Sequence, residues 1–147
     1  MNMAYPVTFK TYASGQVGAF FVDVPEAITA GANESEALDH AQDALVVALS
    51  GYLDDGRSLP EPGKAKRGQA VVAIPPRIAI KLAIHEAMRE QGMTQAQLGE
   101  RLVVDGRQVR RILDLGHESK LSQLDAAMAA LGLRASISVS KVSAMAG

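Results

Sequence analysis

Apolar and polar side chains alternate along most of the first thirty residues, and this period of two predicts half-buried β-strands. A turn signal at residues 14–16 predicts that the first two strands form an antiparallel hairpin. In the second strand, Phe20, Val22 and Val24 are expected on one face. The predicted strands cover residues 5–13, 17–24 and 27–30.

The apolar spacing then changes to that of a helix, which is predicted from Asn33 to near Gly56. Asn33 is expected to cap this helix, because its side chain can accept from a free N–H group and Glu36 follows three residues later. Residues 58–68 are rich in Pro, Gly and Lys and predict a mobile loop, and residues 69–74 predict a last strand. The helix face predicted to pack on the sheet consists of Leu38, Ala41, Leu45, Leu49 and Tyr52.

From Pro76 onward the apolar residues recur at helical spacing. Thr94 and Asp105 are expected to cap two short helices, because both side chains can accept from free N–H groups. Near the end of the chain, alternation of apolar residues with serines predicts a terminal strand over residues 135–140. The predicted helices cover residues 76–92, 95–102, 106–115 and 121–131.

These elements predict an α+β fold in two domains, divided at Pro75-Pro76. Residues 1–75 are expected to form a sheet with one helix, and residues 76–147 a small all-α domain with a possible dimerisation strand at its end. Charge divides the chain in a similar way. Residues 1–63 hold two basic and nine acidic residues, a net charge of −7. Residues 64–147 hold thirteen basic and seven acidic residues, a net charge of +6, so each part is expected to have a different partner.

Composition excludes several classes of site. The chain has no Cys, which excludes disulfides and thiolate zinc sites. Aromatic residues make up 4% of the chain, too few for a surface that stacks single-stranded bases. It has no basic-then-apolar leader and no run of 18 apolar residues, so we expect a cytoplasmic protein that does not enter the membrane.

The segment 94–113, TQAQLGERLVVDGRQVRRIL, has the outline of a helix-turn-helix DNA reader. Its apolar residues would fix the angle between the helices, and they are Leu98, Leu102, Val109, Ile112 and Leu113. Arg and Gln side chains read base edges through paired hydrogen bonds, so Arg107, Gln108 and Arg110 are the candidates for base contacts. The candidates for phosphate contacts are Thr94, Gln95 and Arg111. The alternative is a plain helical hairpin with a solvated basic face.

This segment, followed by SKLSQLDAAMAALGLR at residues 119–134, resembles the phage-repressor-like (XRE-type) helix-turn-helix. Val103 departs from that family, which usually has Gly at the turn, and Leu113 stands where a polar residue is common. A second set of residues in the first half carries another resemblance, and it consists of Tyr5, Val7, Phe9, the segment 21–26 (FVDVPE), Ala30-Gly31, the segment 33–38 (NESEAL), Ala41, Ala44-Leu45 and the segment 59–62 (LPEP). With these residues the first half resembles the HicB antitoxin family, although Ala27 stands where that family often has Gly followed by a small residue.

The resemblance implies that the first domain is a reduced ribonuclease-H-like fold, here a β-sheet plus helix. It also implies an antitoxin that binds and neutralises a small, basic, mRNA-cleaving HicA-type toxin and represses its own operon. Because one monomer would make too few contacts for useful specificity, a homodimer or higher homo-oligomer is expected on double-stranded operator DNA. An acidic surface would steer a basic toxin. The candidate toxin-binding residues are Asp23, Glu26, Asp39 and Asp43.

Two other functions stay open at this point: a stand-alone transcriptional regulator whose first domain senses a small ligand, and a nuclease with a DNA-binding tail. A ribonuclease-H-like enzyme needs several carboxylates around Mg²⁺. The first predicted strand offers Lys10 and no acid, while Asp23 and Glu26 are isolated. The three histidines also lie far apart in the sequence. We therefore predict a protein that is not an enzyme and has no catalytic residue, cofactor or metal.

Overall fold

Strands and helices follow the predicted order in the computed structural model, which describes residues 1–141. The α+β prediction is confirmed, with a sheet and one helix at the N-terminal end and helices alone among the described residues 76–141. The elements are β1 (Ala4–Thr11), β2 (Val17–Phe20), β3 (Ile28–Gly31), α1 (Glu34–Asp54), β4 (Ala70–Ala73), α2 (Pro76–Gln91), α3 (Gln95–Leu102), α4 (Gly106–Leu113) and α5 (Leu121–Ala130).

The four strands form one antiparallel sheet in the order β3-β2-β1-β4. The long strand β1 pairs through residues 8–11 with β2 and through residues 4–7 with β4. Helix α1 begins at the predicted cap, where Asn33 Oδ1 accepts from the Glu36 N–H at 2.9 Å. One face of α1 packs on the sheet, and its buried residues are Ala37, Ala41, Leu45, Leu49 and Tyr52.

Two predicted faces are corrected. Strand β2 ends at Phe20, and the chain then bends so that the Val24 N–H donates to the Phe21 carbonyl. Phe21 and Val24 are buried whereas Val22 is exposed, because the alternation of a strand does not continue through a bend. In α1 the buried position is Ala37, and the predicted Leu38 is exposed.

The predicted mobile loop is held in place along its first half. Leu59 is buried in the core beneath the sheet. The Tyr5 hydroxyl donates to the Pro60 carbonyl at 2.6 Å, and burial, with a smaller effect of Asp23, raises the pKa of Tyr5 to about 12. The Gly63 N–H donates to an Asp23 carboxylate oxygen at 3.0 Å. Residues 58–63 therefore belong to the packed body of the domain.

Helix α2 contributes to both hydrophobic clusters of the described chain. Its Leu82 lies in the cluster formed by the sheet and α1. Its Ile80, Ile84, Ala87 and Met88 lie in the cluster formed with α3, α4 and α5. The helix ends as predicted at Gly92, whose φ of 64° is left-handed. The division at residues 75 and 76 stays a prediction, and residues 142–147 of the predicted second domain lie outside the described residues.

Buried Glu86 ties α2 to the segment that leaves α1. Its carboxylate accepts from the Ser58 hydroxyl at 3.0 Å and from the Leu59 N–H at 3.4 Å. Arg89, one turn further along α2, donates to the same carboxylate at 2.6 Å. Burial alone would raise the pKa of Glu86, but the hydrogen bonds from Arg89, Ser58 and Leu59 outweigh it and lower the pKa.

The predicted terminal strand is not formed in the single chain, and its pairing across a dimer stays a prediction. Residues 135–140 are exposed and form no strand. A strand needs the backbone of a neighbouring strand, and Ile137 and Val139 both face away from the packed body.

Replacing Glu86 with Gln tests the hydrogen bonds by which its carboxylate joins α2 to the segment that follows α1. Because the folded-state pKa is lowered, the charged carboxylate stabilises the fold above its ordinary pKa of 4.5, and this stabilisation is lost as the pH falls through the folded-state value. We expect Glu86→Gln to lower the free energy of unfolding by about 1–3 kcal/mol at pH 7 and by less at pH 3.5, measured by urea titration. The matched control is Glu90→Gln at an exposed position of α2, which should change little. An equal loss at both pH values would contradict a charge-dependent tie.

Candidate nucleic-acid interface and acidic groove

The helices α3 and α4 are short, and both begin at the caps predicted from the sequence. The Thr94 hydroxyl accepts from the Gln97 N–H at 3.1 Å, and the Gln97 side chain accepts from the Thr94 N–H at 2.9 Å. The Asp105 carboxylate accepts from the Gln108 N–H at 2.8 Å. Residues 103–105 form the turn between the two helices. The caps therefore fix where each helix starts relative to this turn.

Close packing sets the angle between α3 and α4. Leu98 and Val109 are fully buried in the helical cluster. A Cβ atom at Gly99 would lie 3.2 Å from both the Val104 carbonyl oxygen and Val109 Cγ2, so the absence of a side chain lets the helices approach. Of the five predicted apolar contacts Leu102 is only partly buried, and the buried ones are Leu98, Val109, Ile112 and Leu113. The sequence analysis did not identify Gly99 as a helix contact. The available signal was a residue without a side chain directly after the core residue Leu98.

Val103 takes the backbone conformation that the usual glycine would take. Its φ is 56° and its ψ is 48°, in the left-handed region, and it is the C-cap of α3. Its side chain is 89% exposed, so it gains little from packing. The left-handed region is unfavourable for a β-branched residue because Cβ crowds the following carbonyl oxygen. The turn therefore keeps its geometry and stores strain.

The predicted DNA-binding side chains lie on the outer surface of this pair of helices. Gln108 is partly buried, and the five exposed residues are Thr94, Gln95, Arg107, Arg110 and Arg111. Within residues 1–141, none of the three arginines forms an ion pair. The Arg110 guanidinium reaches back over the first turn of α4, where Nη1 would lie 3.2 Å from a Cβ atom at Gly106. The exposed side of α4 thus carries three cationic side chains, Arg107 in its first turn and Arg110 and Arg111 in its last, whose hydrogen-bond donors can reach a ligand.

Side chains from α2 contact the other end of α4. His85 Nε2 lies 2.7 Å from the Leu113 carbonyl oxygen, and it must carry the proton because a carbonyl only accepts. Lys81 is buried beneath the same helix end. Sequence analysis treated His85 only as one of three widely spaced histidines and did not single out Lys81.

A second surface feature is an open groove between the edge strand β3 and helix α1. Glu26, Asp43 and Asp55 lie along it, with exposed Ile28 and Val47 among them. We call these five residues the acidic groove. His40 and Arg57 also line the groove, and Arg57 is paired with Glu26. An apolar centre with a charged and polar rim is a common arrangement at protein–protein interfaces.

Two of the four predicted toxin-binding acids are engaged within the chain. Glu26 accepts from the Tyr52 hydroxyl at 2.8 Å and from Arg57 at 3.1 Å, and these bonds lower the pKa of Glu26. The Arg57 guanidinium stacks 3.9 Å from the centre of the Tyr52 ring. Asp23 accepts from the Gly63 N–H, as described above.

The other two acids, Asp39 and Asp43, are exposed on α1. The structure brings Asp43 and Glu26 together along the acidic groove, whereas Asp23 and Asp39 are not among the residues that line it. Among residues 1–141, no three carboxylate, His or Cys side chains are placed to share a metal ion. None of the helices in that range is long and apolar enough to span a membrane.

Comparison with known proteins gives a consistent result. A family model described as the HicB-like antitoxin of bacterial toxin–antitoxin systems matches residues 4–83. Antitoxin HicB 1 of Photorhabdus laumondii is 36% identical over 138 residues, which cover 94% of this chain and 88% of the relative. Antitoxin HicB of Escherichia coli K12 is 31% identical over 135 residues, or 92% and 98% of the two chains. Antitoxin HicB of Pseudomonas fluorescens is 36% identical over 126 residues, or 85% and 86%.

Replacing Val103 with Gly tests the strain in the turn. Relief of the left-handed conformation outweighs the added freedom of glycine in the unfolded chain, so we expect Val103→Gly to stabilise the protein by about 1 kcal/mol. The measurement is chemical unfolding monitored by circular dichroism. Val139→Gly is the matched control, because Val139 is 90% exposed and has no left-handed φ, and it should leave stability unchanged. A loss of stability in Val103→Gly would show that the valine is not strained.

Proposed function

The chain belongs to the HicB-like antitoxin family, and from this premise we propose that it neutralises a small mRNA-cleaving toxin of the HicA type and represses its own operon. The protein acts in the cytoplasm as a binding protein rather than an enzyme. The acidic groove receives the toxin, and the pair α3–α4 acts as a helix-turn-helix on operator DNA. The observation that carries the DNA-binding part is the set of three arginines on α4 without an ion pair inside residues 1–141.

On DNA, α4 serves as the recognition helix in the major groove. Arg107, Gln108 and Arg110 on its outer side contact base edges, because Arg pairs with guanine and Gln with adenine through two hydrogen bonds. The candidates for phosphate contacts are Thr94, Gln95 and Arg111. One such helix reads only a few base pairs, so the protein binds a pseudo-palindrome as a homodimer or a larger homo-oligomer.

For toxin binding, the acidic groove offers a small basic partner both complementary charge and exposed apolar area. Ile28 and Val47 supply apolar area that desolvates on contact, and the carboxylates of Asp43 and Asp55 stand beside them. The carboxylates speed encounter with a cationic protein and disfavour acidic ones. Glu26 accepts hydrogen bonds from Tyr52 and Arg57, and together these three side chains form one side of the groove that contacts the toxin. Asp39 lies on α1, like Asp43, but outside the groove, and it adds to the negative electrostatic field that attracts a cationic protein from a distance.

Replacing Arg107 with Ala tests base reading. We expect Arg107→Ala to weaken operator binding by about 1–3 kcal/mol and to relax the base preference at one position of each half-site. The measurement is a titration of fluorescent duplexes carrying each of the four base pairs at each position. Arg67→Ala, an exposed arginine in the loop before β4, is the matched control and should keep wild-type affinity. Unchanged base preference in Arg107→Ala would remove this residue from the base-reading set.

Placing a positive charge in the acidic groove tests toxin binding. Val47 is 72% exposed inside the groove and Val22 is 75% exposed outside it, so both accept a longer side chain without disturbing the core. We expect Val47→Arg to abolish co-purification with a co-expressed HicA-type toxin, and to abolish growth rescue from that toxin, because the added charge repels a cationic partner. Val22→Arg should retain both, and both variants should bind operator DNA normally. Full protection by Val47→Arg would place the toxin on another surface.

A further inference from the structure

Lys81 is an unusual residue of α2 because its side chain is entirely buried, with 0% exposure. Lysine is almost never fully buried unless its charge has partners. Its ammonium group donates to three carbonyl oxygens and one hydroxyl that all follow the middle of α4. The partners are the carbonyl oxygens of Arg111 at 3.0 Å, Asp114 at 2.7 Å and His117 at 2.8 Å, and Ser119 Oγ at 2.9 Å.

Ser119 completes this set of hydrogen bonds. An ammonium group has three N–H donors, so the four acceptors share them. The Ser119 hydroxyl also donates to the Arg111 carbonyl at 3.2 Å, so that oxygen has two donors within reach. Among residues 1–141, no buried side-chain nitrogen or oxygen lacks a partner. The set therefore compensates the burial of the charge, and removal of one member would leave others unpaired.

The same contacts cap the C-terminal end of α4. The last four carbonyls of a helix have no partner within it, and a cation near them is favoured by the helix dipole. In α4, the Arg111 carbonyl accepts from Lys81 and the Leu113 carbonyl accepts from His85. Lys81 and His85 are four residues apart and therefore lie on one face of α2. Helix α2 thus holds the end of α4 by two directional hydrogen bonds.

We propose that Lys81 is a positioning residue for DNA reading: it fixes the direction of α4, and so of Arg107 and Arg110, without touching DNA. This inference rests on the proposed role of α4 as the recognition helix. Apolar packing sets the angle between α3 and α4, and the directional hydrogen bonds from Lys81 and His85 add a constraint on where the far end of α4 lies. Gly99 fixes the approach of α3 to the start of α4, and Lys81 fixes the far end.

The position of α4 matters because side chains that read bases tolerate only small errors in distance and angle. A binding group is effective only within about 0.5 Å and 10–20° of its productive geometry. Helix α4 has only eight residues, with Arg107 in its first turn and Arg110 in its last, so a small tilt of the helix moves both guanidinium groups. Residues 114–120, which follow α4, contain no helix or strand, so the hydrogen bonds of Lys81 also order this connection.

The experiment uses the full-length chain and a duplex that the wild-type protein selects from a random pool. For each variant, affinity is measured for this duplex and for a scrambled duplex of equal length and composition. The concentration of active protein, determined by stoichiometric titration, is used in each measurement. We expect Lys81→Met to reduce the ratio of the two affinities about tenfold or more, the equivalent of one lost base contact. Affinity for the scrambled duplex should stay within about threefold, because the arginines that contact phosphates remain.

Two further variants separate positioning from stability. Met128→Ala opens a cavity in the hydrophobic cluster formed by α2, α3, α4 and α5 without changing a hydrogen bond to α4. It should therefore lower stability and keep the affinity ratio. Ser119→Ala retains Lys81 and removes one of its acceptors, so it should reduce the ratio about threefold, less than a full base contact. Where Lys81→Met does not fold, Ser119→Ala decides the question.

The outcomes are distinct. An unchanged ratio in every folded variant of Lys81 and Ser119, or an equal fall in Met128→Ala, would overturn the positioning role. Failure of the wild-type chain to select any duplex would instead overturn the proposed DNA-binding function. A fall in the ratio confined to the Lys81 and Ser119 variants supports the inference.

Discussion

Helix α2 buries two opposite charges, and the arrangement of both halves of the chain depends on them. Lys81 holds carbonyls that follow the middle of α4, and Glu86 holds the segment that leaves α1. Taking either charge out of water costs several kcal/mol unless its hydrogen bonds are complete. Burial lowers the pKa of Lys81, while the nearby Asp114 carboxylate opposes that change and favours the charged form. A displacement of α2 would leave one of these charges buried without its partners, so the helix has one favourable position.

This constraint joins the two proposed functions to one rigid element. Leu82 packs into the sheet cluster and Ile84 into the helical cluster, so α2 is shared rather than a linker between them. The family match ends at residue 83, inside α2, which agrees with the contribution of this helix to the first cluster. Pro75-Pro76 was predicted both to divide the two domains and to begin a helix. Helix α2 does begin at Pro76, which proline at the first helical position favours, while the division into domains stays a prediction.

Local features could be predicted from the sequence, and long-range ones could not. The caps Asn33, Thr94 and Asp105 were predicted because capping depends on residues three positions away. The errors at Val22 and Leu38 arose because the face that a residue shows depends on where a strand bends or how a helix rotates. The partners of Lys81 and Glu86 lie about thirty residues away in sequence, and charged residues on an amphipathic helix are normally expected in solvent. The available signal was the position of Lys81 between Ile80 and Leu82 in an apolar run.

The candidate surfaces differ in how their charges are held, and this difference determines what each charge can do. On α4 the three arginines have no ion pair inside the described chain, so their donors can bind a ligand directly. In the groove Glu26 is already paired with Arg57, and elsewhere Asp23 is used to hold Gly63. The net charge of −7 over residues 1–63 therefore overstates the number of carboxylates that a partner can engage. In the proposed function, charge would attract the toxin to this groove from a distance, and burial of Ile28 and Val47 would supply the apolar area that holds it.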